Sequence, residues 1–124
     1  MGRRQIAAIT QEVIDALGID CESGTPIYLG DSNIEHMKQS HPADYEKYAP
    51  HMEEILNAPE YIGINPTDDS IEYVREYMDE DVEYVKVAVR VSVSGNYYAR
   101  SIYTLRPARV RDFIAKGTLK DLRT

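Results

Sequence analysis

The stretch VEYVKVAVRVSV, residues 82–93, decides the fold. Val85, Val87, Val89, Val91 and Val93 alternate with Tyr84, Lys86, Ala88, Arg90 and Ser92. Successive side chains on a strand point to opposite faces, so this alternation predicts a strand with one core face and one polar face. SGN (94–96) predicts a hairpin turn and YYARSIYTL (97–105) the returning strand. Upstream, EYIGI (60–64) reads as a strand. SIEYVREYM (70–78) has Ile71, Val74 and Met78 at helical spacing, but its β-branched and tyrosine content favours a strand. Downstream, RPARVRDFIAKG (106–117) predicts a helix with Pro107 near its start and Gly117 after it.

The first half has the helical period. QIAAITQEVIDAL (5–17) places Ile6, Ile9, Val13 and Leu17 at helical spacing, with Gly18 as the stop. CESGTP is a loop, and IYLG (27–30) a short strand. DSNIEHMKQSHP (31–42) opens with Ser32-x-x-Glu35, a capping box, and should stop before Pro42. ADYEKYAPHMEEILNAP resumes helix, broken or restarted at Pro50. The expectation is a single α+β domain over residues 1–124, with a helix and loop over 1–24 and a core over 25–117. Its N-terminal helices pack on one face of a four-stranded antiparallel meander, and a C-terminal helix closes it.

Composition narrows the function classes. The 124 residues carry a net charge of −7, unevenly spread. Residues 1–30 sum to −2, residues 31–83 to −12 and residues 84–124 to +7. An acidic total argues against bulk nucleic-acid affinity, while the basic C-terminal third leaves room for a local phosphate-binding surface. No apolar run approaches the roughly 20 residues that span a bilayer, and the interrupted N-terminal stretch does not read as a signal peptide. Cys21 is the single cysteine, so neither a disulfide framework nor a cysteine-rich zinc site is expected, and a cytoplasmic setting is. There are ten tyrosines, one phenylalanine and no tryptophan, which suits a half-buried sheet face or base stacking. Dinucleotide, P-loop, metalloprotease, serine-hydrolase and CxxC motifs are all absent, and no metal or cofactor is expected.

Two histidines stand five residues apart in IEHMKQSHP (34–42). At 100° per residue His41 shares the apolar stripe of Ile34 and Met37, whereas His36 lies on the flank near Ser40, about 140° away. Either could be packing; either could exchange a proton near neutral pH. His51 reads as a surface or packing residue. On the valine strand Lys86 and Arg90 share the polar face. On the returning strand Ser101 shares a face with Tyr103, and Arg100 shares the opposite one with Thr104. Cations beside hydroxyls can hold a phosphate and stabilise the charge of a pentavalent transition state, or can simply be a solvated strand.

The order of parts carries a resemblance. IYLG precedes a helix bearing HMKQSHP, then come a helix ending EEILNAPEYI, a valine-rich strand, and ARSIYT before a final helix. Over residues 25–117 this resembles the phage- and mobile-element-associated nuclease domains grouped with barnase, EndoU, certain colicins and RelE. The resemblance implies N-terminal helices on a four-stranded antiparallel sheet. It also implies metal-independent RNA cleavage, in a toxin or effector role, by attack of the ribose 2′-OH on the adjacent phosphate. His36 and His41 match the family's helix histidines, and Ser101 with Tyr103 matches its late Ser/Thr-x-aromatic. Lys86 and Arg90 match by position.

The expected catalytic set is therefore His36, His41, Arg90 and Ser101. Lys86, Arg100, Tyr103 and Thr104 are the expected substrate contacts. RNA such as tRNA is the expected substrate, and an immunity or antitoxin protein the expected partner. The alternative is a non-catalytic interaction module whose acidic 31–83 surface, including Asp79, Glu80 and Asp81, binds a basic partner. ADP-ribosyl transfer ranks below both because no cofactor loop is visible.

Overall fold

The structure is a computed structural model describing residues 2–123, so the ends of the expected 1–124 domain, Met1 and Thr124, lie outside the described residues. The valine strand is β5 (Val82–Val91), and the segments around it form the meander read from the sequence. Strands β3 (Tyr61–Ile64), β4 (Ile71–Met78), β5 and β6 (Tyr97–Leu105) pair antiparallel in order. The meander is the centre of a larger sheet. β1 (Arg3–Ala8), β2 (Pro26–Gly30) and β7 (Leu119–Asp121) extend it to seven strands in the order β1-β2-β6-β5-β4-β3-β7. The sheet is mixed, because β2 runs parallel to β6 through two residue pairs, Ile27–Tyr97 and Tyr28–Tyr98.

The helix expected over 5–17 is a strand followed by a helix. Ile6 sits at a bulge in β1, so Ile6 and Ala7 are both buried and strand alternation is lost. The true helix, α1 (Gln11–Leu17), begins after Thr10, whose hydroxyl accepts from the Val13 amide at 3.4 Å. Gly18 ends it in the left-handed conformation.

Next come α2 (Asp31–Ser40), α3 (Pro42–Tyr48), a 3₁₀ turn at Ala49–His51 that accommodates Pro50, and α4 (Met52–Asn57). The α2 break before Pro42 is where the sequence placed it. Its cap is not the expected Ser32/Glu35 box: Gly30 is the N-cap, and Asn33 accepts from the Gly30 amide at 2.9 Å. Alongside α2 and α3, Asp44 accepts from the Thr104 amide at 3.1 Å, closing a stretch of β6 edge that β2 does not reach.

Val85, Val87 and Val89 are fully buried against Met37, Met52, Ile55, Leu56 and Tyr73. Val91 and Val93, expected in the core, are exposed because the hairpin runs past the helical layer. The last helix, α5 (Pro107–Lys116), does not join the others. Val110 and Phe113 pack with Tyr61, Val74, Tyr84 and Leu119, on the opposite sheet face. At Gly63, paired to Leu119, a Cβ would stand 2.0 Å from the Thr118 carbonyl oxygen, so β7 can close on β3 only over glycine.

Buried tyrosines set an alkaline limit. Burial, then the hydrogen bond to Glu83, pushes the Tyr48 hydroxyl up to about 12, and burial pushes Tyr73 up as well. Both folded values lie above the unfolded value of about 10. Their stabilisation is therefore complete below pH 10 and is lost as pH rises through the folded values. Urea unfolding at pH 8 and pH 11 should show a lower unfolding free energy at pH 11, by roughly 1 kcal/mol for each tyrosine, and so a lower midpoint. An unchanged midpoint would contradict this.

Candidate functional site

Because α5 covers only one end of the second sheet face, the other end is open. A cavity of about 610 Å³ lies there, and His36, Arg90, Arg100, Tyr98, Arg3 and Asn33 are among the residues that line it. His36 comes from the exposed flank of α2, one residue before Met37, which is buried in the core. Ser40, one helical turn on, has its hydroxyl 3.4 Å from His36 Nε2 and helps orient the ring. Arg90 sits on the polar face of β5, directly across from Tyr98.

Arg100 reaches the cavity through a bulge. Ala88 pairs with Ser101 and Val89 with Ala99, leaving Arg100 as the extra residue of β6. Strict alternation had set it on the face opposite Ser101; the bulge instead carries its side chain round to Arg90. Arg3 of β1 extends over the Tyr28 ring, 4.0 Å from the centroid, and donates to the Tyr98 hydroxyl at 2.9 Å.

The charge balance is local. Among the described residues Arg3, Arg90 and Arg100 form no ion pair, whereas Lys47, Arg75, Lys86, Lys116 and Arg123 all do. Asp31, the carboxylate in the lining, accepts from the Gly2 amide at 2.8 Å. Three guanidinium groups against one carboxylate give this hollow a positive local balance in a protein of net charge −7. Among the described residues no group of three His, Cys, Asp or Glu side chains could hold a metal ion. Among the described residues no helix is long and apolar enough to cross a membrane.

The family model described as phage-Barnase-EndoU-ColicinE5/D-RelE like nuclease 3 matches residues 4–112. The chain belongs to this nuclease family. No curated protein and no solved structure matches it.

The match includes β1 and α1, which precede the 25–117 span of the sequence resemblance, so the N-terminal strand is part of the nuclease domain. The cavity brings together His36, Arg90 and Arg100, three of the expected residues. Of the others, Ser101, Tyr103 and Thr104 lie further along β6, Lys86 on β5 and His41 between α2 and α3. Ser101 pairs with Ala88 and is not in the lining. His41 stacks on Tyr103, with ring centroids 4.8 Å apart and planes at 24°. Tyr103 shares the sheet face of Arg90, so His36 and His41 reach that face at different points.

Lys86 is buried rather than solvent-facing. Its ammonium lies 2.5 Å from Glu72 and 4.7 Å from the centre of the Tyr103 ring. Burial opposes its charge, but Glu72 and Tyr103 together outweigh that and raise its pKa. The Thr104 hydroxyl is 3.4 Å from Asp44. His51 is exposed, its ring 4.9 Å from that of Tyr77. Sequence reasoning missed Arg3, Tyr98 and Asn33. Tyr98 could have been found by pairing the hairpin across SGN, which sets it opposite Arg90. Arg3 was hidden by the helix assigned from residue 5.

Proposed function

We propose that this nuclease domain is an endoribonuclease that cleaves RNA by transesterification, in a toxin or effector role that a neutralising partner protein holds in check. The observation that carries the reading is the meeting of one imidazole, His36, with Arg90 and Arg100, two guanidiniums free of carboxylate partners among the described residues. His36 takes the proton from the ribose 2′-OH as that oxygen bonds to the adjacent phosphorus. The phosphorus–5′-oxygen bond breaks, leaving a 2′,3′-cyclic phosphate and a 5′-OH. Arg90 and Arg100 hold the non-bridging oxygens, whose charge grows in the pentavalent transition state.

His41 is the second imidazole and protonates the departing 5′-oxygen. It stands just past the end of α2, five residues beyond His36, with its ring held on Tyr103. Ser101 lies between Arg100 and Tyr103 on β6 and orients the phosphate. Tyr103 holds the His41 imidazole in place by stacking on it, and Thr104 holds this end of β6 to α3 through Asp44. Lys86 supports the Tyr103 ring from below. The guanidiniums supply the cationic charge, so the reaction requires no metal.

The test uses total tRNA with EDTA present. Cleavage is expected to persist, to yield cyclic phosphate ends, and to stop when a 2′-deoxynucleotide stands at the cleaved position. Loss of activity in EDTA, or equal cleavage of DNA, would overturn the mechanism. Arg90→Ala should lower kcat about 10²-fold, the scale of removing one donor from a developing anion. A KM effect with kcat unchanged would show instead that Arg90 only binds.

A further inference from the structure

Arg3 is held more firmly than its exposed position requires. Its guanidinium lies flat enough on Tyr28 to bring Cζ 4.0 Å from the ring centre, and Nη1 is tied to Tyr98 at 2.9 Å. Tyr28 and Tyr98 lean on each other with centroids 5.9 Å apart. The backbone is held too. The Gly2 amide donates to the Asp31 carboxylate at 2.8 Å, and the Asp31 amide donates to the Gly2 carbonyl at 3.1 Å. A long side chain normally gives up rotamer freedom on binding; here that cost is largely met before a ligand arrives. One of five N–H donors is engaged and, among the described residues, no carboxylate neutralises the charge.

The register fixes where this cation sits. Arg90, Tyr98 and Tyr28 stand in one row across β5, β6 and β2. The Tyr28 and Arg90 backbones are therefore two strand spacings apart, about 10 Å. Arg3 lies above Tyr28, at the far end of the row from Arg90.

We infer that Arg3, presented by Tyr28 and Tyr98, is a binding subsite for the phosphate next to the one cleaved in a single-stranded RNA. This rests on the endoribonuclease reading of the cavity. Arg3 is a positioning residue: it grips the strand beyond the scissile bond and sets which bond meets His36. A dinucleotide cannot fill it, so the domain favours internal positions of a chain over a terminal dinucleotide.

The test has two arms on the full chain. In the first, a short oligoribonucleotide cut at one bond is prepared with a neutral methylphosphonate in place of the phosphate on one side of that bond or the other. Arg3→Ala should raise KM about tenfold on the all-phosphate substrate. At one of the two flanking positions the neutral linkage should raise the wild-type KM by a similar factor, and combining the two changes should add nothing further. Arg3→Lys should recover part of the loss. Additive effects at both positions, or a loss in kcat alone, would overturn the subsite and leave Arg3 a staple of the β1–β2–β6 edge. In the second arm, binding of a non-cleavable 2′-O-methyl oligonucleotide is followed against salt. Arg3→Ala should make the log–log slope shallower by about 0.7, because one phosphate of the single strand is no longer neutralised. That change without cleavage by any variant supports the subsite and sinks the catalytic reading; an unchanged slope sinks the subsite.

Discussion

His36→Ala is expected to lower the RNA-cleavage rate by about 10²–10⁴-fold, the usual contribution of a positioned acid–base group. The upper end corresponds to about 5.5 kcal/mol of lost transition-state stabilisation. The fold should not change. His36 is exposed, and its side-chain hydrogen bond is the 3.4 Å contact with Ser40 on the same helix. Alanine is also the better helix former. Circular dichroism and thermal melting should therefore overlay the wild type while single-turnover cleavage collapses. A variant that keeps full activity would remove imidazole chemistry from this cavity and leave Arg90 and Arg100 as an anion-binding surface without a catalyst.

Lys86→Met should cost about 3–5 kcal/mol of folding stability, the range for breaking a buried ion pair from one side. Ile71–Val74 of β4 are buried, and Glu72 would be left charged there with only the Asn65 amide, 3.4 Å away, for company. The midpoint of urea unfolding should fall with its slope unchanged. Converting Glu72 to leucine in the same chain should restore most of the loss, because the desolvation cost of both charges then vanishes. If the single variant is as stable as the wild type, the pair is not enclosed in solution. The sign with pH follows from the raised Lys86 value: the contribution is complete below the ordinary lysine value and fades as pH climbs through the folded one.

The legible parts of the fold were those where one period runs undisturbed. β5 shows strict alternation, and its three central valines are the core it announced. The illegible parts are where one residue breaks the count. The Ile6 bulge places two apolar side chains inward in succession, and together with Ile9 and Val13 they imitate a helix across a strand, a cap and a short helix. The bulge at Arg100 reverses its face and decides whether Arg90 has a companion. β7 is three residues long and exists because Gly63 lets it approach, a tertiary cause with no local pattern. Sequence pattern assigns a side to each strand but not which helix covers it. That is why neither the face taken by α5 nor the open end of the sheet could be located. Of the candidate site, the residue types were readable from chemistry; their convergence depended on a parallel β2–β6 contact that no turn signal marks.

That contact has a mechanical consequence. The imidazole and Arg3 hang from the segment built of β1, β2 and α2, while Arg90 and Arg100 hang from the long hairpin, and the ladder between the two parts has only two rungs. The hollow is thus a clasp whose halves belong to different pieces of chain, and its fastening is among the weakest links in the sheet. Slow exchange of the central valine amides would coexist with faster exchange at Tyr97 and Tyr98. A wedge driven into this seam would part His36 and Arg3 from Arg90 and Arg100 without altering any of the four side chains.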